Sequence, residues 1–121
     1  MNSQTTLSGE APSGAILVVG GGIAGIQSAL DLASQGFQVY LVEETTSIGG
    51  NMSMLDKTFP TNDCSTCMLS PRLVEVARNK NIILLTMASL LELTGEPGHF
   101  QAKVRQAPRF IVPEKCVGCG I

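Results

Sequence analysis

Residues 15–43 have the sequence AILVVGGGIAGIQSALDLASQGFQVYLVE, which places a glycine turn and a helix between two apolar runs. The first run, residues 15–19, is apolar and β-branched, as expected of a buried parallel strand. Apolar residues then recur at the i, i+3, i+4, i+7 spacing of one helix face, and they are Ile26, Ala29, Leu30 and Ala33. Gly36 stands where a helix commonly ends, and residues 37–42 predict a second strand. The stretch therefore predicts a βαβ unit with a right-handed crossover and two parallel strands.

The rest of the chain predicts further elements of a small α/β domain. Residues 82–85 form a short apolar run and predict a third parallel strand. Ser70 and Pro71 suit the N-cap and the first position of a helix that ends near residue 79. Weaker strand patterns at residues 90–93, 100–104 and 110–112 predict an antiparallel meander. We therefore predict an α/β fold, with a Rossmann-like βαβ unit in a parallel sheet and a small antiparallel meander.

The composition excludes several classes of protein. The chain has 121 residues, of which 44% are hydrophobic and 15% charged, too apolar a balance for an intrinsically disordered protein. A net charge of −2 and 4% aromatic residues give no support for nucleic-acid binding. Because neither a signal-peptide pattern nor a run of about 20 apolar residues is present, we expect a cytoplasmic protein without direct membrane insertion.

The glycine turn matches the pattern G-x-G-x-x-G, and its residues are Gly20, Gly21, Gly22, Ile23, Ala24 and Gly25. The first glycine makes the tight turn, the second lets the backbone approach a pyrophosphate, and the third lets the helix pack closely. The N-terminus of the following helix attracts phosphate. Glu43 ends the second strand, where an acid holds the ribose hydroxyls. The turn predicts a dinucleotide site, the alternative being a glycine-rich loop that binds nothing.

The choice of dinucleotide rests on the residues that follow the second strand. The carboxylate of Glu43 would repel the 2′-phosphate of NADP, so NAD and FAD remain. Glu44 comes directly after this acid and is expected to contact the cofactor too, and Gly49 and Gly50 follow shortly. A glycine pair soon after the ribose acid favours FAD, because the backbone again passes close to the cofactor. A simple turn at this pair is the alternative.

The four cysteines form two C-x-x-C pairs, Cys64 with Cys67 and Cys116 with Cys119. The first pair precedes a predicted helix N-terminus, which lowers thiol pKa values. It could ligate an iron–sulfur cluster, act as a redox-active dithiol, hold zinc, or be inert. The second pair resembles the start of the ferredoxin run C-x₂-C-x₂-C-x₃-C-P, whose third cysteine would fall just past residue 121. A zinc ion shared by both pairs is a further alternative, although 48 residues separate the pairs and zinc ribbons have about 15–20.

Together these residues resemble the A subunit of heterodisulfide reductase, an FAD and iron–sulfur protein. The similar segments are VVGGGIAGIQSALDLASQGFQVYLVE, IGGNMSMLDKTFPTNDCSTCMLSP and EKCVGCG. The resemblance implies that the glycine turn and Glu43 hold FAD, with the 49–50 pair close by. It further implies that Cys64 and Cys67 are cluster ligands near the flavin. It also implies that the second cysteine pair supplies the first two [4Fe–4S] ligands of an inserted ferredoxin module.

The resemblance also implies a function. The family is several times longer than this chain and passes electrons between FAD and several [4Fe–4S] clusters, with other iron–sulfur oxidoreductase subunits as partners. We therefore expect a disordered tail at 1–13, part of an incomplete FAD domain at 14–112, and a partial ferredoxin module at 113–121. The enzyme would be an EC 1.8-like oxidoreductase, with no catalytic residue assigned and the chain alone inactive. The alternatives are a small non-catalytic nucleotide-binding module and an FAD-linked dithiol–disulfide reductase that uses Cys64 and Cys67.

Overall fold

The computed structural model describes residues 3–7 and 14–120, which form two helices, eight strands and two short 3₁₀ turns. The strands are β1 (Ser3–Leu7), β2 (Ala15–Val19), β3 (Gln38–Val42), β4 (Lys57–Thr58), β5 (Asp63–Cys64), β6 (Ile82–Leu85), β7 (Ala88–Glu96) and β8 (His99–Gln106). The helices are α1 (Ile23–Ser34) and α2 (Ser65–Arg78), and the 3₁₀ turns are Gly50–Met54 and Pro113–Lys115. None of the described helices is long and apolar enough to cross a membrane.

A parallel sheet of order β2-β3-β6 carries the dinucleotide motif, as the sequence predicted. α1 connects β2 to β3 and packs on one face of the sheet. The four residues predicted for its apolar face are all buried, together with Val39, Leu41, Leu69 and Val76. This packing is the main core, and it fixes the glycine turn at the carboxyl edge of the sheet.

A second, antiparallel sheet has the order β1-β8-β7. β7 and β8 pair as an antiparallel hairpin, as expected for the strands at 90–93 and 100–104 of the predicted meander, with a bulge at Leu90/Glu92. Its base packs on the parallel sheet through Val104 and Ala88, which are buried against Val42. The two sheets therefore meet beside the carboxyl end of β3, and Glu43 is the residue that directly follows this strand.

Two predictions for this region were wrong. Residues 3–7 were expected to be disordered but form β1, because the outer edge of β8 offers unpaired backbone groups with which they pair. The other residues of the predicted 1–13 tail lie outside the described part of the chain. Residues 110–112 were expected to be a strand, but β8 ends at Gln106 and all three are exposed, since Pro108 interrupts the ladder.

The helix expected to begin at Pro71, after an N-cap at Ser70, begins six residues earlier, at Ser65. Cys64 is the N-cap, and its sulfur accepts a hydrogen bond from the Cys67 amide at 3.2 Å. Pro71, predicted at the first helical position, instead lies inside α2. The first turns of α2 are stabilised by the burial of Ser65 and Leu69. The early start was not predicted because cysteine is not among the residues preferred at a helix N-cap.

Candidate functional site: a dinucleotide cradle beside a cysteine pair

The glycine turn joins the carboxyl end of β2 to the N-terminus of α1. The Gly20 amide donates to the Val42 carbonyl at 2.7 Å, which ties the turn to the end of β3. Gly20 has φ +107°, a conformation that strains any residue with a side chain. Gly22 is the N-cap of α1, and no side chain caps the helix there. The first amides of α1 therefore remain available to an anion.

Two of the other glycines in the turn are packed closely against neighbouring atoms, and the third faces open space. A Cβ on Gly25 would overlap the carbonyl oxygen of Gly20, so α1 packs directly against the turn. A Cβ on Gly21 would lie 2.7 Å from the Ile48 side chain. A Cβ on Gly22 would meet no atom within 4 Å. This arrangement leaves room above Gly22 for a phosphate group while the rest of the turn is tightly held.

Glu43 presents its carboxylate to the glycine turn. The Gly21 amide donates to Oε2 at 2.6 Å, and the Thr45 amide donates to Oε1 at 3.0 Å, with the Thr45 hydroxyl at the same distance. The Thr45 amide lowers the pKa of this carboxyl, partial burial opposes the effect, and the Gly21 amide lowers it further, so the net shift is downward. Glu43 is therefore an oriented anion, and about one of its four lone-pair sites, on Oε2, remains free to accept from a ligand hydroxyl group.

A cavity of about 320 Å³ opens beside Glu43 at the carboxyl edge of the sheet. Its walls mix apolar and carboxylate groups, as expected of a site for a planar base and a ribose. The lining residues are Val19, Gly20, Val42, Glu43, Glu44, Ala88 and Leu90. Glu44, predicted to contact the cofactor, thus lies at this cavity.

Gly49 and Gly50 lie against the glycine turn. The Gly49 amide donates to the Gly21 carbonyl at 2.7 Å, and a Cβ on Gly50 would lie 2.9 Å from the Gly22 Cα. Their φ angles are +126° and +54°. The pair therefore packs against the backbone of the glycine turn, the candidate phosphate cradle, and its predicted contact with the cofactor stays a prediction.

Cys64 and Cys67 are joined as a disulfide at the N-terminus of α2, with their Cα atoms 5.2 Å apart. Both residues are exposed. Sulfurs bonded to each other cannot serve as thiolate ligands, so the structure records an oxidised dithiol. Their predicted role as cluster ligands stays a prediction.

Cys116 and Cys119 are exposed free thiols that follow the second 3₁₀ turn. Among residues 3–7 and 14–120, no three or more His, Cys, Asp or Glu side chains converge as a metal site. A [4Fe–4S] cluster requires four thiolates, so the described residues do not form a complete cluster site.

Sequence reasoning missed several residues of the site. Thr45, which orients the ribose acid, was not singled out, although a threonine two residues after an acid is well placed to donate to it. Ala88 and Leu90 reach the cavity only because the β7–β8 hairpin folds back on the sheet. No local pattern marks such non-local contacts.

Comparison with known proteins agrees with the geometry of this site. The family model of FAD dependent oxidoreductases matches residues 15–77, which include the glycine turn, Glu43 and the first cysteine pair. The solved structure of L-proline dehydrogenase from P. horikoshii is similar with a TM-score of 0.61 and 28% identity, covering 74% of this chain and 19% of that one.

Curated relatives are more similar in sequence. An iron–sulfur A subunit of the CoB--CoM heterodisulfide reductase of Methanopyrus kandleri is 53% identical over 86% of this chain. A protein of Archaeoglobus profundus that is named as similar to the heterodisulfide reductase A subunit is 55% identical over 87% of this chain. The chain spans 16% and 15% of the lengths of these two relatives. It belongs to the FAD dependent oxidoreductase family and, within that family, to the group of heterodisulfide reductase A subunits.

Proposed function

We propose that this chain is the part of a heterodisulfide-reductase-A-like oxidoreductase subunit that holds the ADP half of FAD. The single observation that carries the proposal is the convergence of the phosphate cradle, the Glu43 carboxylate and the adjoining cavity at one edge of the sheet. The cradle and cavity suit phosphate and adenine, and the acid suits a ribose. The glycine turn itself is compatible with both NAD and FAD, and membership of the FAD dependent oxidoreductase family favours FAD.

Each group of the site has a task in binding. The open side of Gly22 and the uncapped amides of α1 would hold the pyrophosphate. Glu43, fixed by the Gly21 and Thr45 amides, would accept a hydrogen bond from a ribose hydroxyl group. The cavity bounded by Ala88 and the ends of β2 and β3 would exclude water from the adenine. Bound FAD supplies two-electron chemistry, while the protein supplies position and electrostatics.

We propose that Cys116 and Cys119 donate two ligands to a [4Fe–4S] cluster whose other ligands lie beyond the described residues. Their exposure and C-x-x-C spacing support this assignment, and the naming of a relative as an iron–sulfur protein agrees with it. Electrons from FAD would then pass to clusters of the same polypeptide or of partner oxidoreductase subunits in the cytoplasm. The described residues alone would bind nucleotide without completing turnover.

The test is to purify the complete protein under anaerobic conditions and measure its flavin and iron content. FAD is expected at about one per chain, and the double substitution Cys116→Ser/Cys119→Ser is expected to lower the iron content by one cluster, about four iron atoms, while leaving FAD bound. FAD without any iron in the unsubstituted protein would contradict the cluster assignment and favour a nucleotide-binding module. A protein that retains NAD but no FAD would contradict the cofactor assignment.

A second candidate function is favoured by the Cys64–Cys67 disulfide, which is exposed at a helix N-terminus. Such a position stabilises a thiolate after reduction, as a redox-active dithiol requires. The pair would then exchange two electrons and two protons with reduced flavin, as in an FAD-linked dithiol–disulfide reductase. The substitution Cys67→Ser should abolish this exchange and leave iron content unchanged, whereas a loss of iron would instead identify Cys67 as a cluster ligand.

A further inference from the structure

A buried serine connects the cysteine pair to the segment that covers the glycine turn. Ser65, the residue directly after Cys64, has no exposed surface. Its hydroxyl donates to the Met52 carbonyl at 2.6 Å, across a sequence separation of 13 residues. Its amide donates to the Asp56 carbonyl at 3.1 Å. The hydroxyl of Ser65 therefore holds the first turn of α2 against the 3₁₀ turn Gly50–Met54, and its amide holds the same turn against Asp56, which follows the 3₁₀ turn.

The same 3₁₀ turn begins on the glycine pair that touches the phosphate cradle. The Gly49 amide donates to the Gly21 carbonyl at 2.7 Å, and the Cα of Gly22 lies within contact of Gly50. A Cβ on Gly49 would also lie 3.4 Å from the side chain of Leu69 on α2, which is buried. A continuous set of hydrogen bonds and backbone contacts thus runs from the cysteine pair to the cradle.

We propose that Ser65 is a positioning residue through which the oxidation state of Cys64 and Cys67 controls the affinity of the glycine turn for FAD. The inference rests on the proposed function, since it requires that the turn bind FAD. In the disulfide form, the covalent bridge pins the first turn of α2, and Ser65 holds the covering segment in place. Reduction by a dithiol breaks the sulfur–sulfur bond with two electrons and two protons, gives two thiols, and converts the reductant to its own disulfide. The freed first turn then holds Met52 less firmly, and the cradle loosens.

The effect must be reciprocal: if oxidation of the cysteine pair strengthens FAD binding, FAD binding must favour the oxidised form of the pair by the same factor. If the oxidised chain binds FAD about tenfold more tightly, within the range of typical couplings, saturating FAD must stabilise the disulfide by the same factor. The midpoint potential of the Cys64–Cys67 pair should therefore fall by about 30 mV, since a tenfold change in the equilibrium constant is 29.6 mV for two electrons.

The experiment measures the dissociation constant of FAD by flavin fluorescence, using the full chain with the pair oxidised and then reduced by dithiothreitol. We expect about tenfold weaker binding after reduction, and equal binding in both states for Ser65→Ala. The double substitution Cys64→Ser/Cys67→Ser should bind like the reduced chain in either condition. Ser53→Ala is the matched control, because Ser53 lies in the same 3₁₀ turn but its hydroxyl bonds to Gly50 within that turn, not to α2. It should retain the tenfold difference.

The possible failures are distinguishable. FAD binding that differs by less than twofold between the two states would overturn the coupling and leave the proposed function standing. A tenfold difference that persists in Ser65→Ala would overturn the role of Ser65. An absence of FAD binding in both states would overturn the proposed function and, with it, this inference.

Discussion

The substitution Glu43→Gln tests the electrostatic basis of the ribose site with little change of shape. Glu43 accepts from the Gly21 amide at 2.6 Å and from the Thr45 amide at 3.0 Å. A glutamine side chain has one acceptor oxygen, so its NH₂ group would face one of these donors. The substitution also removes the negative charge that would accept a hydrogen bond from a ribose hydroxyl group.

The expected loss of FAD affinity in Glu43→Gln follows from the difference in free energy between hydrogen bonds to a charged group and hydrogen bonds between neutral groups. Bonds to a charged group contribute about 1.5–3 kcal/mol and neutral ones about 0.5–1.5 kcal/mol, so each ribose bond loses about 1 kcal/mol or more. A loss of about 1 kcal/mol or more in one such bond predicts about fivefold or greater weakening of FAD binding, measured by calorimetric titration. Glu75→Gln is the charge-matched control, because Glu75 is exposed on α2 and pairs only with Arg72 among the described residues. Equal affinity in the two variants would refute the reasoning.

Three further predictions concern the same sheet edge. Because the pKa of Glu43 is lowered from 4.5, its contribution to stability is complete above that unfolded value and is lost as the pH falls through the lower folded value. FAD affinity, measured by calorimetric titration, should therefore be constant from pH 5 to 8 and decline only at pH values below 4.5. Gly25→Ala should prevent stable folding in thermal melts, since its Cβ would overlap the Gly20 carbonyl, whereas Gly22→Ala should fold normally and lose FAD. Leu41→Ala, at a position with no exposed surface, should lower the free energy of unfolding by about 2–5 kcal/mol in urea titrations.

The parts of the fold that sequence predicted are those whose signals are local. The two flanking strands, α1 and the glycine turn lie where periodicity and glycine spacing placed them, because each element is specified within a few residues of itself. The position of Glu43 followed for the same reason, since a parallel βαβ unit brings the end of its second strand beside the turn. The spacing alone could not reveal that Thr45 and Gly21 orient this carboxylate.

The parts that sequence reasoning missed depend on contacts between distant segments. β1 pairs with β8 across most of the chain length, and the hairpin residues Ala88 and Leu90 reach the cavity only through the packing of two sheets. The early start of α2 depends on the burial of Ser65 against Met52. Each of these features is stabilised by tertiary packing, which overrides local propensity and leaves no mark in a short window of sequence.

The sheet topology also explains why the described residues offer one side of a dinucleotide site. In open α/β sheets, ligands bind at the carboxyl ends of the strands, at the point where the strand order reverses. At that point the loops after two neighbouring strands run to opposite faces of the sheet and leave a crevice between them. Within residues 3–7 and 14–120, β2 pairs with β3 alone, and Val19 at its carboxyl end is 56% exposed. The cradle, the ribose acid and the cavity therefore form the wall on the β3 side. A parallel strand on the free side of β2 would complete the crevice, which agrees with the predicted incomplete flavoprotein domain and with a chain that spans about one sixth of its relatives.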